Sequence, residues 1–180
     1  MNKIMSQAKL IYDDLITIRR TIHSNPEVGA KLPKTKAYVI DKLKEFGYEP
    51  QEICESGVVA TISGKNPGKT FLLRADMDAL PVVEATECDF KSTNGSMHAC
   101  GHDMHTAMLL GAAKLLRENQ DDIEGTVKLV FQPDEEGFTG AKKMLAAGVL
   151  ENPHVDAAMA MHVHSGTPSN MVLCGLGTSI

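Results

Sequence analysis

The sequence predicts an α/β fold: a mostly parallel, twisted sheet with helices on both faces. Three observations lead there. Apolar runs and amphipathic segments alternate along the chain. The apolar runs are continuous, as in strands covered on both sides. A chain of 180 residues, 43% of them apolar, is long enough to bury a core, and one domain is the natural expectation at this length.

The elements follow in order. Ile11, Leu15, Ile18 and Ile22 recur at helical steps, with Asp13, Asp14, Arg19 and Arg20 off that face, and Asn25-Pro26 ends the helix. A second helix runs from Pro33 to Phe46, buries Val39, Leu43 and Phe46, and stops at Gly47. Val58–Ile62 reads as a strand, and residues 65–68 as a turn. Phe71–Ala75 is the next strand and runs into Asp76-Met77-Asp78. After a turn-rich stretch over 84–97, a long helix spans His102 to Arg117, apolar around most of its circumference. Gly125–Phe131 is a third strand, residues 139–147 a short helix, and Ala157–Val163 a fourth strand. No repeat or linker interrupts the pattern.

Composition excludes several functions. The net charge is −5, with 18 basic residues against 23 acidic and no Lys/Arg block. Trp is absent and aromatics make up 4%. A nucleic-acid partner is not expected. No apolar stretch reaches membrane-spanning length, so no membrane partner is expected either. The segment MNKIMSQAKLIYDDL lacks the pattern of a secretory leader, which predicts a cytoplasmic protein whose four cysteines stay reduced.

Candidate chemistry gathers where strands end. Asp76 and Asp78 follow one strand, Asp134, Glu135 and Glu136 another, and His162 and His164 close the last. His98, Cys100, His102, Asp103 and His105 stand at the start of the long helix. In a parallel sheet these positions share one rim, where ligands bind. Each piece alone has a plainer reading: a solvated turn, an acidic loop, a structural histidine, a buried small thiol. Together they read otherwise. Cys100 and His102, two apart around a glycine, suit a transition metal, and the helix start is expected to favour the thiolate. A Cys, His, Glu, His set fits zinc, with manganese and cobalt as competitors. A spare carboxylate beside a metal-activated water is the equipment for amide hydrolysis.

Four long segments carry a resemblance: RADMDALP (74–81), MHACGHDMHTAMLLGAAKLL (97–116), GTVKLVFQPDEEGFTGAKKML (125–145) and AMHVHSGTPSN (160–170). With RRTIHSNPEVG (19–29) they resemble the aminoacylase/carboxypeptidase metallohydrolases, in the amidohydrolase branch of hippurate hydrolases, auxin-conjugate hydrolases and N-acetyl-diaminopimelate deacetylases. The resemblance implies the first part of a zinc-peptidase-like catalytic domain over residues 1–180. It implies two divalent ions (zinc or manganese, with cobalt and nickel as further candidates) held by Cys100, His102, Glu136 and His162, with Cys100 bridging. Glu135 would be the general base and Asp78 the aspartate behind the metals. Asp76 stands where relatives outside the branch carry a ligating His, and is expected in support. His164 receives no role. The implied substrate is a small N-acyl amino acid. Relatives of this kind are about twice as long, with a lid domain that mediates oligomerisation and a last metal-binding His. Neither is expected within these 180 residues, where the lid would begin near Gly175. Two rival readings follow: a metal-binding fragment without activity, or a thiol hydrolase with Cys100 as nucleophile and His102 or His105 as base.

Overall fold

The structure is a computed structural model that describes residues 3–174. The expected start of a lid near Gly175 lies outside them. Two helices open the chain, α1 (Lys3–Leu10) and α2 (Tyr12–His23), followed by α3 (Pro33–Glu45). Strands β1 (Gln51–Ile53), β2 (Gly57–Ser63) and β3 (Asn66–Asp76) come next, then the long α4 (His102–Glu118). Strand β4 (Glu124–Gln132), helix α5 (Gly140–Ala146) and strand β5 (Ala157–Ala160) complete the elements.

The five strands form one sheet in the order β1-β2-β4-β3-β5. The α/β class holds, but the sheet is mixed. Strands β3, β4 and β5 run parallel, whereas β2 is antiparallel to both β1 and β4. Continuous apolar runs report cover on both faces and say nothing of strand direction. Direction comes from the connections. Three residues join β1 to β2, too few for a parallel crossover, whereas α4 carries the chain from β3 to its parallel neighbour β4. Gln51–Ile53 is too short and too polar to announce itself as a strand, and α1 buries none of its residues.

Strand β4 sits at the centre and shows how the faces divide. Leu129 and Phe131 point into the main core, which α2, α3 and α4 cover with Ile18, Ile22, Val39, Leu43 and Leu110. Val130 points to the other face, where Leu72, Met144 and Val149 form a smaller cluster under α5. Lys128 also points that way, yet it is 2% exposed. Its Nζ donates to the carbonyls of Val149 (3.0 Å), Glu151 (2.8 Å) and Pro153 (3.0 Å). All three ammonium protons are thereby used, as burial of a charge requires. Burial pushes its pKa below the usual lysine value.

Among the described residues, strand β5 pairs only with β3, over Phe71–Arg74, and all four of its residues are exposed. It ends at Ala160, three residues short of the expected strand, so His162 and His164 lie in a loop. The carboxyl ends of β3, β4 and β5 and the amino end of α4 come together on one rim.

Candidate metal centre

Gly101 makes the turn between Cys100 and His102. It is the N-cap of α4 with φ of 88°, a left-handed conformation natural to glycine. A Cβ there would lie 2.4 Å from Cγ2 of Val163. The turn therefore packs directly against the loop that carries His162. Upstream, Met97 exchanges two backbone hydrogen bonds with Leu80, which fixes the approach of the chain.

Asp78 organises the other side. It is 1% exposed. Its Oδ1 accepts the backbone N–H of Glu135 (2.9 Å) and its Oδ2 that of Glu136 (3.1 Å). Its backbone carbonyl accepts a hydrogen bond from Nδ1 of His102 (2.8 Å). Asp78 thus clamps the acidic loop and the histidine to the end of β3. The bond at Nδ1 sets the His102 tautomer and turns Nε2 toward the rim.

Around that Nε2 the candidate donors converge. Glu136 Oε1 lies 3.8 Å away and Glu135 Oε2 3.9 Å. Cys100, His102 and His162 bring one donor atom each within 4.8 Å of one another, and so do His102, Glu135 and Glu136. The Cys100 sulfur is 3.4 Å from Nε2 of His162, whose Nδ1 bonds the Val163 carbonyl at 2.6 Å. Both histidines therefore tie Nδ1 to a carbonyl and present Nε2 to the same space. Nε2 of His102 and Oε1 of Glu136 are buried without a hydrogen-bond partner. Such atoms are costly unless something binds them. A sulfur, two imidazole nitrogens and carboxylates suit a divalent ion of the zinc or manganese kind. This donor set fits the ions that the resemblance implies.

Electrostatics agree. Burial lowers the pKa of His102, but the Asp78 hydrogen bond and the Asp76 charge outweigh it and the net shift is upward. Surroundings that draw a proton also draw a cation. The expectation that the helix start favours the Cys100 thiolate fails without a cation. Burial and the charge of Glu136 push the thiol up to about 11. Glu135 and Asp76 add to the push. A thiol held this high is no nucleophile near neutrality, which speaks against the thiol-hydrolase reading.

Asp76 and His105 support the site. Nδ1 of His105 donates to Asp76 Oδ1 at 2.6 Å, and its Nε2 accepts the Val163 N–H at 2.9 Å. His105 keeps no nitrogen free for a metal. It links α4 to the His162 loop instead. Arg74 holds the other oxygen of Asp76 at 2.7 Å. Burial works to raise the Asp76 carboxyl, but His105 and Arg74 prevail and hold it below the usual range. The Val163 link could not be read from sequence, because it depends on where the loop after β5 falls. His164 turns away, accepting the N–H of Gly166 within its own turn.

The fold and this rim define a class, that of metallopeptidase-like α/β domains. The chain belongs to the peptidase family M20/M25/M40, whose model matches residues 72–177. It is 47% identical over 176 residues to thermostable carboxypeptidase 2 of Saccharolobus solfataricus, covering 95% of this chain and 44% of that protein. It is 48% identical over 168 residues to the IAA-amino acid hydrolase ILR1-like 5 of Arabidopsis thaliana, covering 92% and 36%. It is 43% identical over 155 residues to an N-acyl-L-amino acid amidohydrolase of Geobacillus stearothermophilus, covering 84% and 41%. Among solved structures, the Bacillus subtilis YxeP protein, described as a dinuclear metal-binding peptidase of the M20 family, superposes with a TM-score of 0.85 at 40% identity, covering 89% of this chain and 45% of its own. The chain thus spans less than half the length of these relatives. Among the described residues no helix is long and apolar enough to cross a membrane.

Proposed function

We propose that this chain carries the metal centre of an amidohydrolase that cleaves N-acyl amino acids into a carboxylate and an amino acid. One observation carries the reading: the buried, unpartnered Nε2 of His102 faces Cys100, His162, Glu135 and Glu136. The names of relatives support the bond class, since they include an N-acyl-L-amino acid amidohydrolase and an IAA-amino acid hydrolase. Cys100, His102, Glu136 and His162 would hold two divalent ions of the zinc or manganese type. When bound, these ions polarise an amide carbonyl and make water acidic enough to attack near neutrality. Glu135 takes the proton from the attacking water and delivers it to the leaving nitrogen. Asp78 holds the backbone of both glutamates and the ring of His102 in place.

A second reading has support of its own. Because the chain covers 44% of the carboxypeptidase it matches, it is also read as a metal-binding part whose activity needs further residues. Hydrolysis of hippurate and N-acetyl amino acids with added zinc or manganese separates the two. Turnover supports the enzyme; metal uptake without turnover supports the fragment. In the active form, Glu135→Gln is expected to lower the rate at least a hundredfold while metal content stays. Cys100→Ala and His102→Ala are expected to lose metal. Equal metal loss in all three variants would overturn this division of roles.

A further inference from the structure

A second buried cluster lies behind the metal centre. His23, the last residue of α2, is 4% exposed. Its Nδ1 lies 2.8 Å from Asp103 Oδ2 and its Nε2 lies 3.0 Å from Glu84 Oε1. Both carboxylates are fully buried. A neutral imidazole can donate from only one nitrogen, so the other would turn a lone pair on a carboxylate oxygen. A carboxylic-acid proton is disfavoured on either partner. Asp103 Oδ2 already receives Nε of Arg19 at 2.6 Å. Glu84 receives the Thr86 hydroxyl (2.5 Å) and the Ser92 N–H (2.6 Å), and the Cys88 thiol points at it from 3.8 Å. With His23 charged, Arg19 and His23 balance Asp103 and Glu84.

We propose that His23 is a buried imidazolium and a positioning residue for the metal ligands. This rests on the metal-centre reading above. Asp103 is the neighbour of His102 in the first turn of α4, and Glu84 anchors the loop that runs on to Cys100. The cation lies where three segments meet: the end of α2, residues 84–98, and the start of α4. Cys100, just beyond the loop, and His102, at the start of α4, keep their placement because one charge holds both carboxylates.

The surroundings sustain the charge. The Asp103 hydrogen bond raises the His23 pKa, burial lowers it, and the Glu84 bond raises it again, with a net upward shift. The groups facing the ring are Arg19 on its own helix, Asp103 on α4, and Glu84, Cys88 and His98 on the loop. The Phe90 ring packs edge-on at 5.4 Å. The His98 ring lies 6.3 Å away, tilted against it.

The test uses the chain as it is. Nitrogen-15 NMR of the histidine rings at about pH 8, above the ordinary histidine value of about 6.5, is expected to show both His23 nitrogens protonated. His23→Gln is expected to keep its far-UV circular dichroism but to bind cobalt about tenfold more weakly, with an altered thiolate-to-cobalt band. Adding Glu84→Gln restores the charge balance and is expected to recover part of that affinity. A neutral ring at that pH, unchanged cobalt binding in His23→Gln, or no recovery in the double variant would overturn the proposal. If His23→Gln does not fold, the ring spectrum of the unsubstituted chain decides alone. A chain that takes up no cobalt sinks the metal-centre reading itself, whereas uptake untouched by His23→Gln sinks only this inference.

Discussion

Buried charges at single residues set how this protein meets acid and base. Burial works to raise the Glu84 carboxyl, but hydrogen bonds from Thr86, His23 and Ser92 hold it down at about 2. A lowered folded pKa gives stability that is present above the unfolded value of about 4.3 and is lost as pH falls through about 2. The raised pKa of His23 has the opposite sign. Its stabilisation is complete below the unfolded value of about 6.5 and is lost as pH rises through the folded value. The metal-free chain should therefore lose stability toward acid, as the buried His98 and then Glu84 are forced to take up protons, and toward alkali, as His23 gives up its own. Its melting temperature should fall in both directions. Thermal melts of wild type and His23→Gln across pH check this: the alkaline loss should shrink in the variant, and parallel curves would contradict the assignment. Cys100, His102, Glu135, Glu136 and His162 were legible as candidates because chemistry-bearing types crowd at strand ends. The tie between His23, Glu84 and Asp103 was not legible, since 80 positions separate His23 from Asp103 and no local pattern joins them.

At the level of elements, the turn before α4 and the middle of β4 matter most. Gly101→Ala places a side chain in a left-handed conformation and drives it into Val163. The expected cost is about 1–3 kcal/mol of stability, with weaker metal uptake because Val163 adjoins His162. Chemical denaturation and cobalt titration measure the two effects. Lys128→Met keeps the stem but leaves three carbonyls without their donor. About 1–3 kcal/mol should be lost in denaturation, and an unchanged midpoint would show that the carbonyls find other partners. Helix limits were readable from periodicity and breakers: the second predicted helix, Pro33 to Phe46, is α3 with its last residue as the C-cap. Sheet order was not readable, because β4 slips between β2 and β3, which follow each other in sequence. Lys128 was equally hidden, for nothing in GTVKLVF announces three carbonyls waiting around its one charge.

For the molecule as a whole, cover is uneven. The main core lies under three helices, but the outer edge of β5 has no partner strand among the described residues. Met159 is 46% exposed and Met161 50%, and an apolar groove lined by Leu73, Met108, Leu109 and Ala112 runs beside them. An open edge with exposed apolar side chains promotes association. The 180-residue chain should therefore sediment as more than a monomer, and Met159→Glu with Met161→Glu should shift it toward the monomer. A wild-type monomer with a sharp melt would contradict this.

That uneven cover bears on how the ions could be captured. His102 and Glu136 are braced by Asp78 and Cys100 stands in the turn before α4, whereas His162 hangs just past an edge strand secured by four residue pairs. Three donors thus hang from the centre of the sheet and the fourth from its margin, tied back to α4 through the Val163 N–H on His105. An ion seated between them would act as a rivet, fastening the margin of the sheet to its centre, so that metal loading would add to the hold on the last strand.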